Sequence, residues 1–221
     1  MTKTQPKIQI LLVDAHPMVR DWLAQMIKRE PDLAVCGEAS DAAGALEAIA
    51  TLKPDMAIME LMLKDSSGTK LIQEIGQRYK ELPVLVLSGH DESFYAERAI
   101  RAGARGYITK QETVPKIKEA IRCVLNGQIY LSEALASKMI RAIAASPANA
   151  PPLAVDNLSE RQLEILRLIG NGHSTKQIAE DLGLSVKTVE GYIARIKEKL
   201  SLATANELLQ YAIKFNKAMG D

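Results

Sequence analysis

At 221 residues the chain is long enough for two modest domains, each with its own core. Apolar residues make up 47% and charged residues 25%, and the formal net charge is +1, so no global field marks nucleic acid or an anionic membrane as partner and any such binding must come from a local patch. No apolar run approaches the roughly 20 residues of a membrane span, the opening MTKTQPKIQ lacks a signal-peptide core, and three His with the isolated Cys36 and Cys123 give no zinc-type spacing. A cytoplasmic protein without a membrane partner is expected, its two cysteines being buried free thiols.

Ile8–Val13 is an apolar β-type run broken only by Gln9, and it ends at Asp14. Pro17 opens a helix, since a first-turn N–H would have no partner anyway, and Val19, Trp22, Leu23, Met26 and Ile27 follow at helical spacing. Leu33–Cys36 reads as a second strand, and Asp41 as the cap of a helix over Ala42–Leu52. Met56–Met59 is a third strand, ending at one carboxylate, Glu60, and followed by a loop with Lys64, Asp65 and Gly68. A helix over Gly68–Tyr79 carries Leu71, Ile72 and Ile75 on one face. Pro83–Leu87 is a wholly apolar strand ending at Ser88, and Glu92–Ala102 is a helix closed by Gly103. Arg105–Ile108 is a short strand ending at Thr109 and Lys110. Val114–Leu125 is a helix with Pro115 in its first turn and Gly127 as C-cap.

Five strand–helix units imply an α/β fold, a flavodoxin-like five-stranded parallel sheet covered on both faces. In such sheets ligand chemistry collects at the carboxyl ends of the strands. The residues there are Asp14, Glu60, Ser88 and Lys110. Singly each has a plain alternative: a helix cap, a surface acid, a turn serine, a solvated lysine. Together, each at its own strand end, they mark a cleft.

The segments LLVDAHPMVR, PDMAIMELMLKDSSG, VLVLSGH and GARGYITK make residues 6–128 resemble the receiver domain of two-component response regulators. The resemblance implies that an aspartate at the third strand end accepts a phosphoryl group from a histidine kinase, and that two acids after the first strand hold Mg²⁺. It further implies that a Ser/Thr and a Lys after the fourth and fifth strands contact the phosphoryl oxygens, while an aromatic on the fifth strand reports the change. These roles fall on Glu60, Asp14 with its neighbour, Ser88, Lys110 and Tyr107. Two positions depart from the family: Glu60 stands where it has Asp, and the second metal acid is Ala15. The extra methylene of Glu projects its carboxylate about 1.5 Å further, whereas in-line transfer needs tighter placement. Mg²⁺ needs near-octahedral oxygens, so at most a weak site at Asp14 is expected, and no cofactor. Both changes point to a receiver that does not run the phosphorylation chemistry. For Glu60 itself three readings stay open: a permanent partial mimic of the phosphorylated state, a merely solvated acid in a decayed site, or an introduced substitution.

Residues 129–155 read as a linker, with an Ala-rich helix over Ser132–Ala145 and then Pro147, Pro151 and Pro152 among small residues. Beyond it, Ser159 and Gln162 form a capping box ahead of Leu163, Ile165, Leu166, Leu168 and Ile169. Helices over Thr175–Leu182, Val186–Leu200 and Ala203–Phe215 follow, the first two capped by Ser174 and Ser185 and separated by a turn at Gly183. LSERQLEILRLIGNGHSTKQIAEDLGLSVKTVEGYIARIKEKL makes residues 156–219 resemble the LuxR-type (NarL/FixJ-type) four-helix helix-turn-helix domain. The resemblance implies that the third helix enters the major groove. Lys187, Glu190 and Arg195 are then candidates for base edges, and Thr175, Lys176, Thr188, Arg195 and Lys199 for the backbone. It also implies a homodimer through the fourth helix, around Asn206, Leu209, Gln210 and Ile213.

The expected protein is a DNA-binding transcription regulator and not an enzyme. Its partners are promoter double-stranded DNA, a second copy, and a histidine kinase or another regulatory protein. The alternatives are ordinary control by phosphorylation, an interaction module with a vestigial DNA domain, and a flavodoxin-like enzyme that nothing in the second half supports.

Overall fold

The computed structural model describes residues 6–63, 66–90, 92–145 and 154–220. The chain divides between residues 145 and 146 into two compact units. Lys64, Asp65, Pro147, Pro151 and Pro152, named above for the loop and the linker, lie outside the described residues.

The first unit alternates strands and helices: β1 Ile8–Val13, α1 Pro17–Lys28, β2 Leu33–Ala39, α2 Ala42–Leu52, β3 Met56–Met59, a hairpin of β4 Met62–Leu63 and β5 Ser66–Ser67, α3 Gly68–Arg78, β6 Val84–Ser88, α4 Glu92–Ala102, β7 Gly106–Thr109, α5 Val114–Leu125 and α6 Glu133–Ala145. The main sheet is parallel throughout, in the order β2-β1-β3-β6-β7. Its central strands are near-continuous apolar runs because both faces are covered: all of β3 and β6 is buried. On the α1 and α5 side the core includes Ile10, Leu12, Leu23, Ile27, Ile58, Leu87, Ile117 and Ile121. Each such side chain contributes about 1.5–3 kcal/mol on burial.

Several boundaries differ from the expectation, for tertiary reasons. Strand β2 continues past Cys36 to Ala39, since its backbone stays paired with β1 across a register shift at Ile10/Leu11 although Gly37 and Glu38 interrupt the apolar pattern. Trp22 lies on the rim of α1 at 39% exposure, while Leu23, Met26 and Ile27 take the buried face. The cysteines are half-buried, not buried, and burial raises the Cys36 thiol pKa. The helix expected in the linker is docked on this unit: α6 packs beside α4, and Leu135 is buried. Just before it, Tyr130 extends the sheet edge, its N–H donating to the Arg105 carbonyl and its own carbonyl accepting from Tyr107 N–H, both at 3.0 Å.

The second unit has a 3-10 turn at Ala154–Asn157 and four helices: α7 Glu160–Gly170, α8 Thr175–Asp181, α9 Val186–Lys199 and α10 Ala205–Gly220. The capping box at Ser159 is present, and Ser174 with Gln177 makes a second one. Gly183 takes the left-handed conformation (φ +62°) that lets α8 turn tightly into α9. Ile165, Leu166, Ile178, Val189, Ile196, Leu208 and Ala212 form the shared core. At Gly170 a Cβ would stand 2.5 Å from the Ala212 carbonyl oxygen, so only glycine lets α7 and α10 approach this closely.

Candidate functional site

Asp14 follows β1, Glu60 follows β3, Ser88 closes β6 and Lys110 follows β7. These four strands are neighbours in the sheet, so their ends sit side by side about 4.8 Å apart. Asp14, Glu60 and Ser88 are 3%, 4% and 0% exposed. Buried polar atoms must find partners inside the protein, and these find them in one another.

Glu60 uses both carboxylate oxygens. Oε1 accepts from Ser88 Oγ (2.6 Å), Leu61 N (2.6 Å) and Met62 N (3.3 Å). Oε2 accepts from Gly89 N (3.1 Å) and Lys110 Nζ (2.9 Å). The same ammonium donates to Asp14 Oδ2 at 2.5 Å. Asp14 Oδ1 accepts from His16 N (2.8 Å) and lies 2.9 Å from His16 Nδ1. Burial by itself would lower the Lys110 pKa, but the charge of Glu60 and the hydrogen bonds to Asp14 and Glu60 outweigh it and hold the pKa above its usual value.

The arrangement continues to the fifth-strand aromatic. His90 N donates to Ser88 Oγ (3.3 Å), and the hydroxyl of the fully buried Tyr107 donates to the His90 carbonyl (3.0 Å). A continuous hydrogen-bonded path thus runs from Glu60 through Ser88 to His90 and Tyr107. The structure brings all five receiver residues named from the sequence to one place. The sequence reading missed Arg20, which donates to the Asp14 carbonyl (2.6 Å) and to Glu38 (2.8 Å) and so fixes the end of β1. Its only signal was a basic residue one turn into α1. It also missed the backbone donors of Leu61 and Gly89, which leave no trace in residue type.

The Mg²⁺ site implied by the family does not fit these residues. Ala15 offers a methyl group, and each of the four carboxylate oxygens of Asp14 and Glu60 already faces a polar hydrogen-bond partner. Among the described residues, no group of three or more His, Cys, Asp or Glu could hold a metal ion.

In the second unit Val189 and Ile196 bury one side of α9, leaving Lys187, Thr188, Glu190 and Arg195 exposed. Lys176 is exposed and Thr175 half-buried at the start of α8. Lys199 is exposed at the end of α9 and also makes contacts within the unit. Its ammonium donates to the Asn157 carbonyl and to Gln162 Oε1, both at 2.8 Å, tying the end of α9 to the start of α7. On α10 the pattern divides into two faces: Leu208 and Ala212 are buried, while Leu209 and Ile213 are exposed at 37% and 44% beside the exposed Asn206 and Gln210.

A doubly wound sheet with an acid–hydroxyl–lysine cleft, in one chain with a helix-turn-helix unit, defines a signal receiver joined to a DNA-binding module. The response regulator receiver domain family matches residues 10–122, and the bacterial regulatory proteins of the luxR family match residues 156–212. The chain is 33% identical over 205 residues to the transcriptional regulatory protein LiaR of Bacillus subtilis (strain 168), covering 93% of this chain and 96% of that protein. It is 33% identical over 211 residues to the oxygen regulatory protein NreC of Staphylococcus aureus (strain JH9), covering 94% and 97%. A crystal structure of a LuxR-family two-component response regulator from Aurantimonas sp. SI85-9A1 superposes with a TM-score of 0.58 at 32% identity, covering 62% of this chain and 99% of that one. The chain belongs to the NarL/FixJ family of two-component response regulators and is a DNA-binding transcriptional regulator with a LuxR-type helix-turn-helix.

Proposed function

We propose that this regulator acts without phosphorylation of its receiver, Glu60 serving as a permanent stand-in for the phosphorylated side chain. One observation carries the reading: a single buried carboxylate engages Ser88 at 2.6 Å and Lys110 at 2.9 Å. Those are the groups that, by the family resemblance, contact phosphoryl oxygens. The carboxylate therefore occupies the position of the oxygens that would otherwise arrive with the phosphate, and the inward Tyr107 is the conformation coupled to an engaged Ser88. Of the three readings of Glu60, a merely solvated acid fits poorly with its burial.

On the DNA side, α9 enters the major groove. Lys187 and Arg195 donate to guanine edges or phosphates, and Glu190 accepts from cytosine N4. Thr175, Lys176 and Thr188 contribute along the backbone. The exposed apolar pair Leu209 and Ile213, flanked by Asn206 and Gln210, forms the dimer contact that lets a weakly charged domain bind a two-fold related site. The partners are promoter DNA and a second copy. On this reading a histidine kinase is dispensable for control.

The test is direct. The full chain is incubated with acetyl phosphate and Mg²⁺ and weighed intact, while DNA binding is followed by mobility shift without any phosphodonor. No mass gain together with specific binding is expected. A phosphoryl adduct that raises DNA affinity sinks the proposal.

A further inference from the structure

The cleft raises a question beyond phosphorylation: what neutralises its two buried carboxylates. We infer that the Lys110 ammonium is the resident cation of this receiver and takes the place of a divalent metal ion. The inference rests on the reading of Glu60 above. Nζ lies 2.5 Å from Asp14 Oδ2 and 2.9 Å from Glu60 Oε2, bridging one oxygen of each acid. A metal ion bridging the two acids through Oδ2 and Oε2 would compete with the ammonium for them.

The remaining oxygens are committed as well. Asp14 Oδ1 faces His16, through its backbone N–H and Nδ1, and Glu60 Oε1 is held by Ser88, Leu61 and Met62. Mg²⁺ holds its ligands near 2.0–2.1 Å in a near-octahedral set and normally keeps several waters. To enter between Oδ2 and Oε2 it must displace the ammonium from both carboxylates, and Ala15 supplies no oxygen in return. Glu60 meets Nζ with Oε2 while Oε1 meets Ser88, so one side chain engages both groups. Ala15 removes a metal ligand, and Glu60 shares the lysine with Asp14. With both changes the cleft's acids are neutralised by a charge carried on the chain.

The measurement is Mn²⁺ binding, chosen because its paramagnetism reports occupancy without any activity. The full-length chain is titrated with Mn²⁺ and followed by water-proton relaxation, and its melting temperature is recorded with and without millimolar Mg²⁺. The wild type is expected to show no saturable Mn²⁺ site and no Mg²⁺-dependent shift. Removing the resident charge in Lys110→Met leaves two carboxylates facing each other, and this variant is expected to gain both a saturable site and a Mg²⁺-dependent rise in melting temperature. Lys110→Gln is measured in parallel and decides the matter should the methionine variant not fold. Saturable binding by the wild type overturns the inference, and so does a folded Lys110 variant that remains blind to both ions. The two readings fail separately: phosphorylation by acetyl phosphate defeats the proposed function, whereas Mn²⁺ binding without phosphorylation defeats only the resident-ammonium assignment.

Discussion

Glutamine has the shape of glutamate without its charge, so Glu60→Gln isolates the role of the second acceptor oxygen. Every group hydrogen-bonded to Glu60 is a donor: Ser88 Oγ and the Leu61 and Met62 amides at Oε1, Lys110 and the Gly89 amide at Oε2. A carboxamide has one acceptor oxygen and one NH₂. In one orientation the NH₂ confronts the Lys110 ammonium and Gly89 N–H, and in the other it confronts two backbone amides. Only the Ser88 hydroxyl can turn to accept it, and the backbone amides and the ammonium cannot. A hydrogen bond to a charged group contributes about 1.5–3 kcal/mol, and a buried donor left unpaired costs about 1–3 kcal/mol. Lys110 keeps Asp14 and is one-fifth exposed, which reduces the loss, so the net destabilisation comes to about 3 kcal/mol. In a receiver-sized domain that lowers the melting temperature by about 10 °C. Calorimetry of the full chain, resolving the two units as separate transitions, measures it, and the helix-turn-helix transition should stay in place. The same variant should lose the Ser88–His90–Tyr107 arrangement and with it dimerisation and DNA affinity. A receiver transition within about 2 °C of wild type, with unchanged DNA binding, would refute the donor-only description of the site.

The raised Lys110 pKa gives a pH prediction with a definite sign: a lysine that holds its proton more tightly when folded contributes stability in full below its unfolded value near 10.5, and loses it as pH rises through the higher folded value. The melting-temperature gap between wild type and Lys110→Met should therefore be flat through neutral pH and close only above about pH 10.5; a gap that closes on acidification instead would point to a different group. Gly170→Ala places a methyl against the Ala212 carbonyl and Asn216 Nδ2. It should cost about 1–3 kcal/mol in the second transition and weaken DNA binding by shifting α10, as read by denaturant unfolding and mobility shift. Lys187→Ala and Arg195→Ala should each weaken DNA binding and reduce the magnitude of its salt slope by about 1 if the side chain meets a phosphate. Lys199→Ala should leave that slope nearly unchanged while lowering the stability of the second unit, because its ammonium holds Asn157 and Gln162. A full change of slope in the Lys199 variant would return that residue to the DNA backbone.

The sequence by itself determined the layout. Short, nearly unbroken apolar runs identified the strands, 3.6-residue spacing the helices, and Ser159, Ser174 and Ser185 the helix starts, because these signals are local and act through neighbours in the chain. The strand-end rule then selected Asp14, Glu60, Ser88 and Lys110 without any contact being visible. Tertiary structure alone decided what those residues do to one another. Whether Glu60 faced water or Ser88 and Lys110 depended on angles and burial set by strands far apart in sequence, and on the Leu61 and Gly89 amides, which every residue type carries alike. The same holds for Lys199, whose residue type fits a phosphate equally well but whose place at the end of α9 brings it to α7. It holds too for Leu208 and Leu209, neighbours in sequence that fall on opposite faces of α10. Periodicity marks a helix as amphipathic, but only packing against α7 determines which apolar side chain is buried and which remains exposed.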